Sequence, residues 1–407
     1  MPWRLVPILP VLLGVACAQV ALGLSTPLIP LLLLQNGAQS PLIGAVASCY
    51  FVGFLTGALL APVAVRRVGH VRAFALFAAI CADCALLMAF SHGAVSVGLL
   101  RLATGFASSA LFLIAESWLN DRADGGNRGR VFSAYLVTSW GASAAGPLVL
   151  NVVAATPMLF VLVGLAFATA VVPMAATIQP NPPVPPAKRL SPWALARISP
   201  LGLACAGVAG MVNSAFYAMV PVYLERHGQA GGAVAAVSSL ALLAALSIQV
   251  PVGLLSDRYG RRRLTLATLL AAIAAAVVLA LAGWPGLWGM AGLAMVYAAG
   301  TAPLYGLGAG QTNDRMERGD YVAASGGLLF TWALGAAFGP GLAGAAMGVV
   351  GPAGLFGFLA AVLTLMAAFT VSRMLGRPEV PRERRAPFVP TPAPPKQALI
   401  AERRLDG

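Results

Sequence analysis

Charge is what this chain lacks. Of its 407 residues, 26 are Lys or Arg and 13 are Asp or Glu, so charged side chains make up 10% of the sequence. A soluble domain carries about 25%. So few charges cannot cover a water-facing surface, which excludes a water-soluble globular enzyme. Histidine is nearly absent, with three residues. The five cysteines (Cys17, Cys49, Cys81, Cys84, Cys205) all lie within apolar runs, which excludes a disulfide framework. Cys81 and Cys84 form a C-x-x-C around Asp83, but no histidine or further cysteine stands nearby to complete a metal site, so they read as small helix-packing residues. No G-x-x-x-x-G-K-[ST] element occurs, so the chain has no phosphate-cradling loop for nucleotide hydrolysis. Strand-like alternation of polar and apolar residues is also missing, which argues against an outer-membrane barrel.

Apolar residues are abundant, at 59% of the chain. A membrane-crossing helix needs roughly 20 of them. Twelve apolar spans can be placed, at about 6–34, 42–65, 73–91, 94–119, 130–154, 157–178, 199–224, 233–255, 264–283, 286–308, 321–346 and 352–373. The first follows Arg4 but runs to Leu34, too long for a signal peptide, and is expected to be a retained helix. Between spans 6 and 7, Pro180, Pro182, Pro183, Pro185 and Pro186 predict a semi-rigid linker. After Arg373 the Pro- and Arg-rich composition predicts a disordered tail.

The net charge of +13 is explained by where the cations stand. With the N-terminus in the cytosol, 24 of the 26 Lys and Arg fall on cytoplasmic segments; Arg226 lies outside and Arg101 within span 4. Cytoplasmic loops carry the Lys and Arg excess, so both termini are expected in the cytosol. The basic balance therefore implies a lipid bilayer, not nucleic acid.

The chain also resembles itself at an offset of 193 residues. Asn120-Asp121-Arg122 returns as Asn313-Asp314-Arg315, Gly146-Pro147 as Gly339-Pro340, and Gly14-Val15-Ala16 as Gly207-Val208-Ala209. Two six-helix units in the same orientation are expected, related by an axis along the membrane normal, with a solute site between them near the midplane. The expected units are 1–178 and 199–375, joined by a cytoplasmic linker at 179–198 and followed by a tail at 376–407.

Between spans 8 and 9 stands Gly253-Leu254-Leu255-Ser256-Asp257-Arg258-Tyr259-Gly260-Arg261-Arg262-Arg263. Gly260 permits a sharp turn, and Asp257 can accept from exposed N–H groups at a helix N-terminus. This run resembles the G-x-x-x-D-R-x-G-R-[RK] signature of the major facilitator superfamily. The loop after span 2 holds a degenerate copy, in which Arg67 and Gly69 match and Arg66 replaces the acid. Arg101-Leu102-Ala103-Thr104-Gly105 resembles the R-x-x-x-G element of the same family. Gly335-x-x-x-Gly339-Pro340 resembles an antiporter element but lies in span 11, where the family has it in span 5. Glu116-Ser117-Trp118-Leu119-Asn120 followed by Asn127-Arg128-Gly129-Arg130 looks like a bacterial branch whose substrates are largely unassigned. The resemblance spans residues 6 to 375 and implies an all-α membrane protein, with twelve transmembrane helices as two pseudo-symmetric six-helix bundles. It further implies a secondary transporter of a small organic solute in the bacterial inner membrane, with no cofactor, no metal and no enzymatic activity.

Ionisable groups inside spans are functional candidates by default. Asp83 and Arg101 lie at matching depths on the hairpin of spans 3 and 4, and an ion pair between them is expected, either as a structural pair or as a sensor of a proton or an anionic substrate. Glu116, at the inner end of span 4, is expected to bridge to the Arg66–Arg72 loop, and Asp314 to serve Arg261 likewise. Arg66 is further expected to pair with Asp320, its counterpart across the inner gate. The histidines lie at span ends, which argues against a buried histidine relay. By analogy with the fold, cavity-lining candidates come from spans 1, 4, 7 and 10: Gln19, Ser25, Arg101, Asn213, Tyr217, Tyr297, Thr301 and Tyr305. This set holds one cation and no deep acid, which favours a neutral or anionic solute. Proton coupling and facilitated uniport both remain open on these residues, whereas a membrane-embedded enzyme lacks the paired carboxylates or histidine cluster it would need. The chain is expected to act as a monomer.

Overall fold

The structure, a computed structural model, describes residues 8–91, 93–122, 128–177, 191–229, 231–316 and 321–376. The described residues are all-α. Before the Pro-rich segment the helices are α1 (Leu9–Gln35), α2 (Ser40–Val68), α3 (His70–Ala89), α4 (Ala94–Arg122), α5 (Arg128–Ala145) and α6 (Leu159–Ala175). After it come α7 (Pro192–Ile198), α8 (Pro200–Arg226), α9 (Gly231–Tyr259), α10 (Arg261–Leu281), α11 (Leu287–Thr301), α12 (Leu304–Asn313), α13 (Tyr321–Val350) and α14 (Gly354–Gly376). Among the described residues, ten helical stretches are long and apolar enough to cross a membrane, with Leu304–Asn313 counted as a continuation of Leu287–Thr301.

Local chemistry explains most boundaries. Pro stands in the first turn of α1, α2, α7 and α8, where its missing N–H is no loss. Gly69 alone separates α2 from α3, and Gly260 alone separates α9 from α10, with φ of 81° and 99° respectively. Side chains do not settle in that region, so both copies of the motif demand glycine where the chain reverses. Two expected spans are interrupted. Pro147 ends α5, and Gly146–Asn151 continues as a 3₁₀ turn; Ala302-Pro303 separates α11 from α12. In each case the proline removes a donor and crowds the preceding turn. The stretch 192–198, expected as linker, forms the short helix α7 with Ser191 accepting from the Ala194 N–H at 3.2 Å. The expected tail lies outside the described residues beyond Gly376.

The packing repeats. α1 packs on α5 as α8 packs on α13, and α2 on α4 as α9 on α11. The pairs α3 with α6 and α1 with α6 likewise recur as α10 with α14 and α8 with α14. Glycines allow these approaches. A Cβ on Gly53 or Gly105 would overlap the Leu102 or Tyr50 carbonyl across the α2–α4 seam. One on Gly210 or Gly335 would overlap the Trp332 or Gly207 carbonyl across the α8–α13 seam. Such small-residue seams bring backbones together where lipid offers no competing hydrophobic drive. Large apolar side chains such as Leu99, Leu165, Leu270 and Leu365 remain exposed around the outside, as a lipid-facing surface requires.

The helices before and after the Pro-rich segment meet mainly through α2 with α13 and α5 with α9. The Ser239 hydroxyl donates to the Ala144 carbonyl at 2.6 Å, and the Gly341 N–H donates to Ser48 Oγ at 3.1 Å. Gly44 and Gly344 lie against the Pro340 and Ser40 carbonyls. These contacts lie toward the end of the molecule remote from the Gly69 and Gly260 turns.

Candidate functional site: a central cavity

A cavity of about 350 Å³ lies between the two sets of helices, lined from α1, α2, α4, α5, α8, α9, α12 and α13. This volume suits a small organic molecule. Its wall is largely apolar and includes the aromatic residues Tyr50, Phe51, Phe54, Trp140, Tyr217 and Trp332. Phe51 and Phe54 meet Trp332 edge-on, with ring centroids 6.3 and 6.1 Å apart, so both helix sets contribute to one aromatic patch.

Five of the expected lining residues face this space: Gln19, Arg101, Asn213, Tyr217 and Tyr305. Three do not. Ser25 is buried and donates to the Leu22 carbonyl of its own helix at 3.1 Å. Tyr297 is fully buried, stacked on Phe216 at 4.6 Å, with its hydroxyl donating to the Val212 carbonyl at 3.2 Å. Thr301 is buried with its hydroxyl 2.8 Å from Asn213 Oδ1. It orients a lining residue without being one.

The expected Asp83–Arg101 pair does not form. Arg101 is 6% exposed, lies over the Tyr50 ring at 4.5 Å and has no hydrogen-bond partner for Nε. Asp83 is exposed. Matching depth was satisfied but angle was not. Cys81 faces α4, with its thiol 3.7 Å from Ser108 Oγ, and Asp83 is two residues farther along, or about 200° around the helix.

Glu116 also departs from expectation. It lines the cavity at 2% exposure and accepts from the Tyr135 hydroxyl at 3.3 Å, while Arg66, Arg67 and Arg72 are exposed. Fifteen residues separate Arg101 from Glu116, which returns Glu116 to within about 60° of the same face and about 22 Å along the axis. That arithmetic was available from the sequence. Tyr305, from the other set of helices, lies near enough to feel the Glu116 charge. His70 is likewise buried, at 1% exposure, with Nε2 3.2 Å from Ser117 Oγ. A position at the end of a span did not imply solvent, because Gly69 turns α3 directly back against α4.

In the motif that spans the end of α9 and the start of α10, Gly253 lines the cavity, Arg258 is exposed and Asp257 is about a third exposed. Arg261 is 1% exposed, held by Asp314 through Nε–Oδ2 at 2.7 Å and Nη2–Oδ1 at 3.2 Å, with Asp257 at 3.3 Å. The expected service of Asp314 to Arg261 is therefore present, and the arginine is buried. Arg262 is also buried and donates from Nη1 to the Arg373 carbonyl at 2.8 Å, capping the end of α14. Asp320, the expected partner of Arg66, lies outside the described residues.

The sequence profile of the Major Facilitator Superfamily matches residues 11–248 and 203–405. An uncharacterized MFS-type transporter of Enterobacter sp. (strain 638) is 26% identical over 351 residues, covering 82% of this chain and 87% of its own. The uncharacterized MFS-type transporter YcaD of Escherichia coli O139:H28 (strain E24377A / ETEC) is 25% identical over 343 residues, with the same coverage. Among solved structures, the nucleoside transporter NupG superimposes with a TM-score of 0.75 at 14% identity, over 93% of this chain and 100% of that one. A bacterial homolog of the human lysosomal transporter Spinster gives 0.75 at 14% identity, over 97% and 100%. At such identities the likeness is one of fold. Apolar helices long enough to cross a bilayer, a central cavity between two similarly packed sets of helices, and a profile match over nearly the whole chain lead to one conclusion: this integral membrane protein belongs to the major facilitator superfamily of transporters.

Proposed function

We propose that the chain is a secondary active transporter of a small organic solute, working by alternating access and coupled to protons. Twelve membrane-crossing segments form two six-helix bundles, 1–178 and 199–375, with α11 and α12 together making one segment and the linker 179–198 between the bundles. The repeated pairings of helices support this division. The arginine-rich end, with the Gly69 and Gly260 turns and both termini, faces the cytosol of a bacterial cell, in keeping with the concentration of cations there. The contacts of α2 with α13 and α5 with α9 then close the outer face, and the present state faces inward. Rocking one bundle against the other would exchange these contacts for ones at the inner face and expose the cavity outward.

The observation that carries this reading is the cavity, walled by both bundles. Glu116 is the proposed proton carrier. It is the acid in the cavity wall, held by Tyr135 of its own bundle and near Tyr305 of the other, so movement between bundles changes its surroundings and its proton affinity together. The test is uptake of a solute panel into proteoliposomes with and without an imposed pH gradient. The gradient should drive accumulation in the wild type. Glu116→Gln should lose that accumulation yet retain exchange of solute down its own gradient. Uptake indifferent to the gradient in the wild type would make the protein a facilitative uniporter.

A further inference from the structure

We propose that the cavity selects organic anions: a compact carboxylate-like head held by Arg101, with an apolar or aromatic body lying against Tyr50, Phe54 and Trp332. This rests on reading the cavity as the solute site and specifies what that site takes.

The argument begins with an incomplete interaction. A guanidinium keeps its charge in any protein environment and presents a planar fork of N–H donors. Arg101 is more than nine-tenths buried, faces the cavity, and has Nε without a hydrogen-bond partner. The acid that might have neutralised it, Asp83, is exposed elsewhere on α3. The Tyr50 ring at 4.5 Å compensates part of the charge through its π face, but a ring accepts no fork of N–H bonds. A buried cation so placed is completed by an anion arriving in the cavity, and a carboxylate matches the fork with two parallel bonds.

The surroundings specify the remainder. Gly105 and Gly53 let α2 approach α4 closely enough for Tyr50 to lie against Arg101. Phe51, adjacent to Tyr50 on α2, and Phe54, one turn farther on, meet Trp332 from α13. A solute bound by its head at Arg101 therefore lays its body on side chains from both bundles. Glu116 lies about 22 Å farther along α4 toward the arginine-rich end. The cation and the acid thus occupy separate parts of the cavity, and the anion does not meet the carboxylate.

The experiment uses three probes with one body and different heads: phenylacetate, phenylacetamide and phenethylamine. Binding to the detergent-purified full chain is measured by calorimetry, with thermal unfolding as a check that each variant is folded. Phenylacetate should bind at least about tenfold more tightly than its amide, the ratio expected for hydrogen bonds to a charged group. Arg101→Gln should bring that ratio to about one, and Arg101→Lys, a point charge without the fork, should leave it intermediate. Trp332→Leu should weaken acid and amide alike and leave their ratio unchanged, which separates the body site from the head site. Absence of phenylacetate binding, equal affinity for acid and amide in the wild type, a preference that survives Arg101→Gln, or tightest binding by phenethylamine would each overturn the proposal. Acid binding without uptake of any solute would retain this inference and remove the transport reading. Uptake of a neutral or cationic solute, blocked by Trp332→Leu but indifferent to phenylacetate, would do the reverse.

Discussion

Removing the Asp314 carboxylate should be the most damaging single-charge change at the arginine-rich end, and Asp257→Asn a mild one. Both acids contact the same guanidinium. Asp314 is 5% exposed and makes two bonds to Arg261, at 2.7 and 3.2 Å; Asp257 is 32% exposed and makes one contact at 3.3 Å. Two unit charges about 4 Å apart attract by about 4 kcal/mol at an effective dielectric constant near 20. Breaking a buried pair by removing one partner costs about 3–5 kcal/mol, because the remaining charge stays desolvated. Asp257 continues to compensate Arg261 in part, so we expect Asp314→Asn to lie near the lower figure, about 3 kcal/mol. The half-open Asp257 contact is screened by water and should be worth about 1 kcal/mol or less. Gly310→Ala offers an independent approach, since a Cβ there would overlap the Arg261 guanidinium. The assay is thermal unfolding of the purified protein in one detergent, compared across Asp257→Asn, Asp314→Asn, Gly310→Ala and the double change Arg261→Met with Asp314→Leu. The double change should recover most of the stability lost in Asp314→Asn, because the one carboxylate it deprives of Arg261, Asp257, is 32% exposed and stays hydrated. If Asp257→Asn destabilises as much as Asp314→Asn, burial and bidentate geometry do not rank these contacts and the reasoning fails.

Gly69→Ala and Gly260→Ala should each destabilise by about 1–3 kcal/mol in the same assay, since both turns occupy a backbone region that only glycine adopts without strain; an alanine variant as stable as the wild type would refute this. Gly44→Leu or Gly344→Leu should prise α2 from α13, so that a cysteine placed at Ser214 becomes more accessible to an impermeant thiol reagent added outside. Unchanged labelling at normal expression would mean that these glycines do not close the outer face.

The all-helical membrane architecture was legible in composition and pattern, because 59% apolar residues with 10% charge call for a bilayer and long unbroken apolar runs do not suit a barrel. The one-residue turns at Gly69 and Gly260 were legible too, and the repeat at offset 193 anticipated the recurring helix pairs. The Arg261–Asp314 contact was foreseeable because the residues share a membrane face, and charges confined to one face find each other. The direction in which each span turns was not legible. In a soluble protein the apolar stripe of a helix marks the side that meets the core. Here lipid is as apolar as the interior, and α3 and α4 carry leucine, alanine and phenylalanine on every side, so the pattern marks no inward face. Depth along a span therefore suggested an Asp83–Arg101 pair that helix rotation forbids. His70 was placed at a solvent-facing end, where the packing of α3 on α4 buries it. The breaks at Pro147 and Pro303 depend on neighbouring helices as well, because a bilayer protein can carry proline within a continuous helix, as α1, α8 and α13 do. Only tertiary packing decided these matters. It rotates Arg101 and Glu116 into one cavity, leaves Asp83 outside it, and brings Trp332 from a distant part of the chain to complete its aromatic wall.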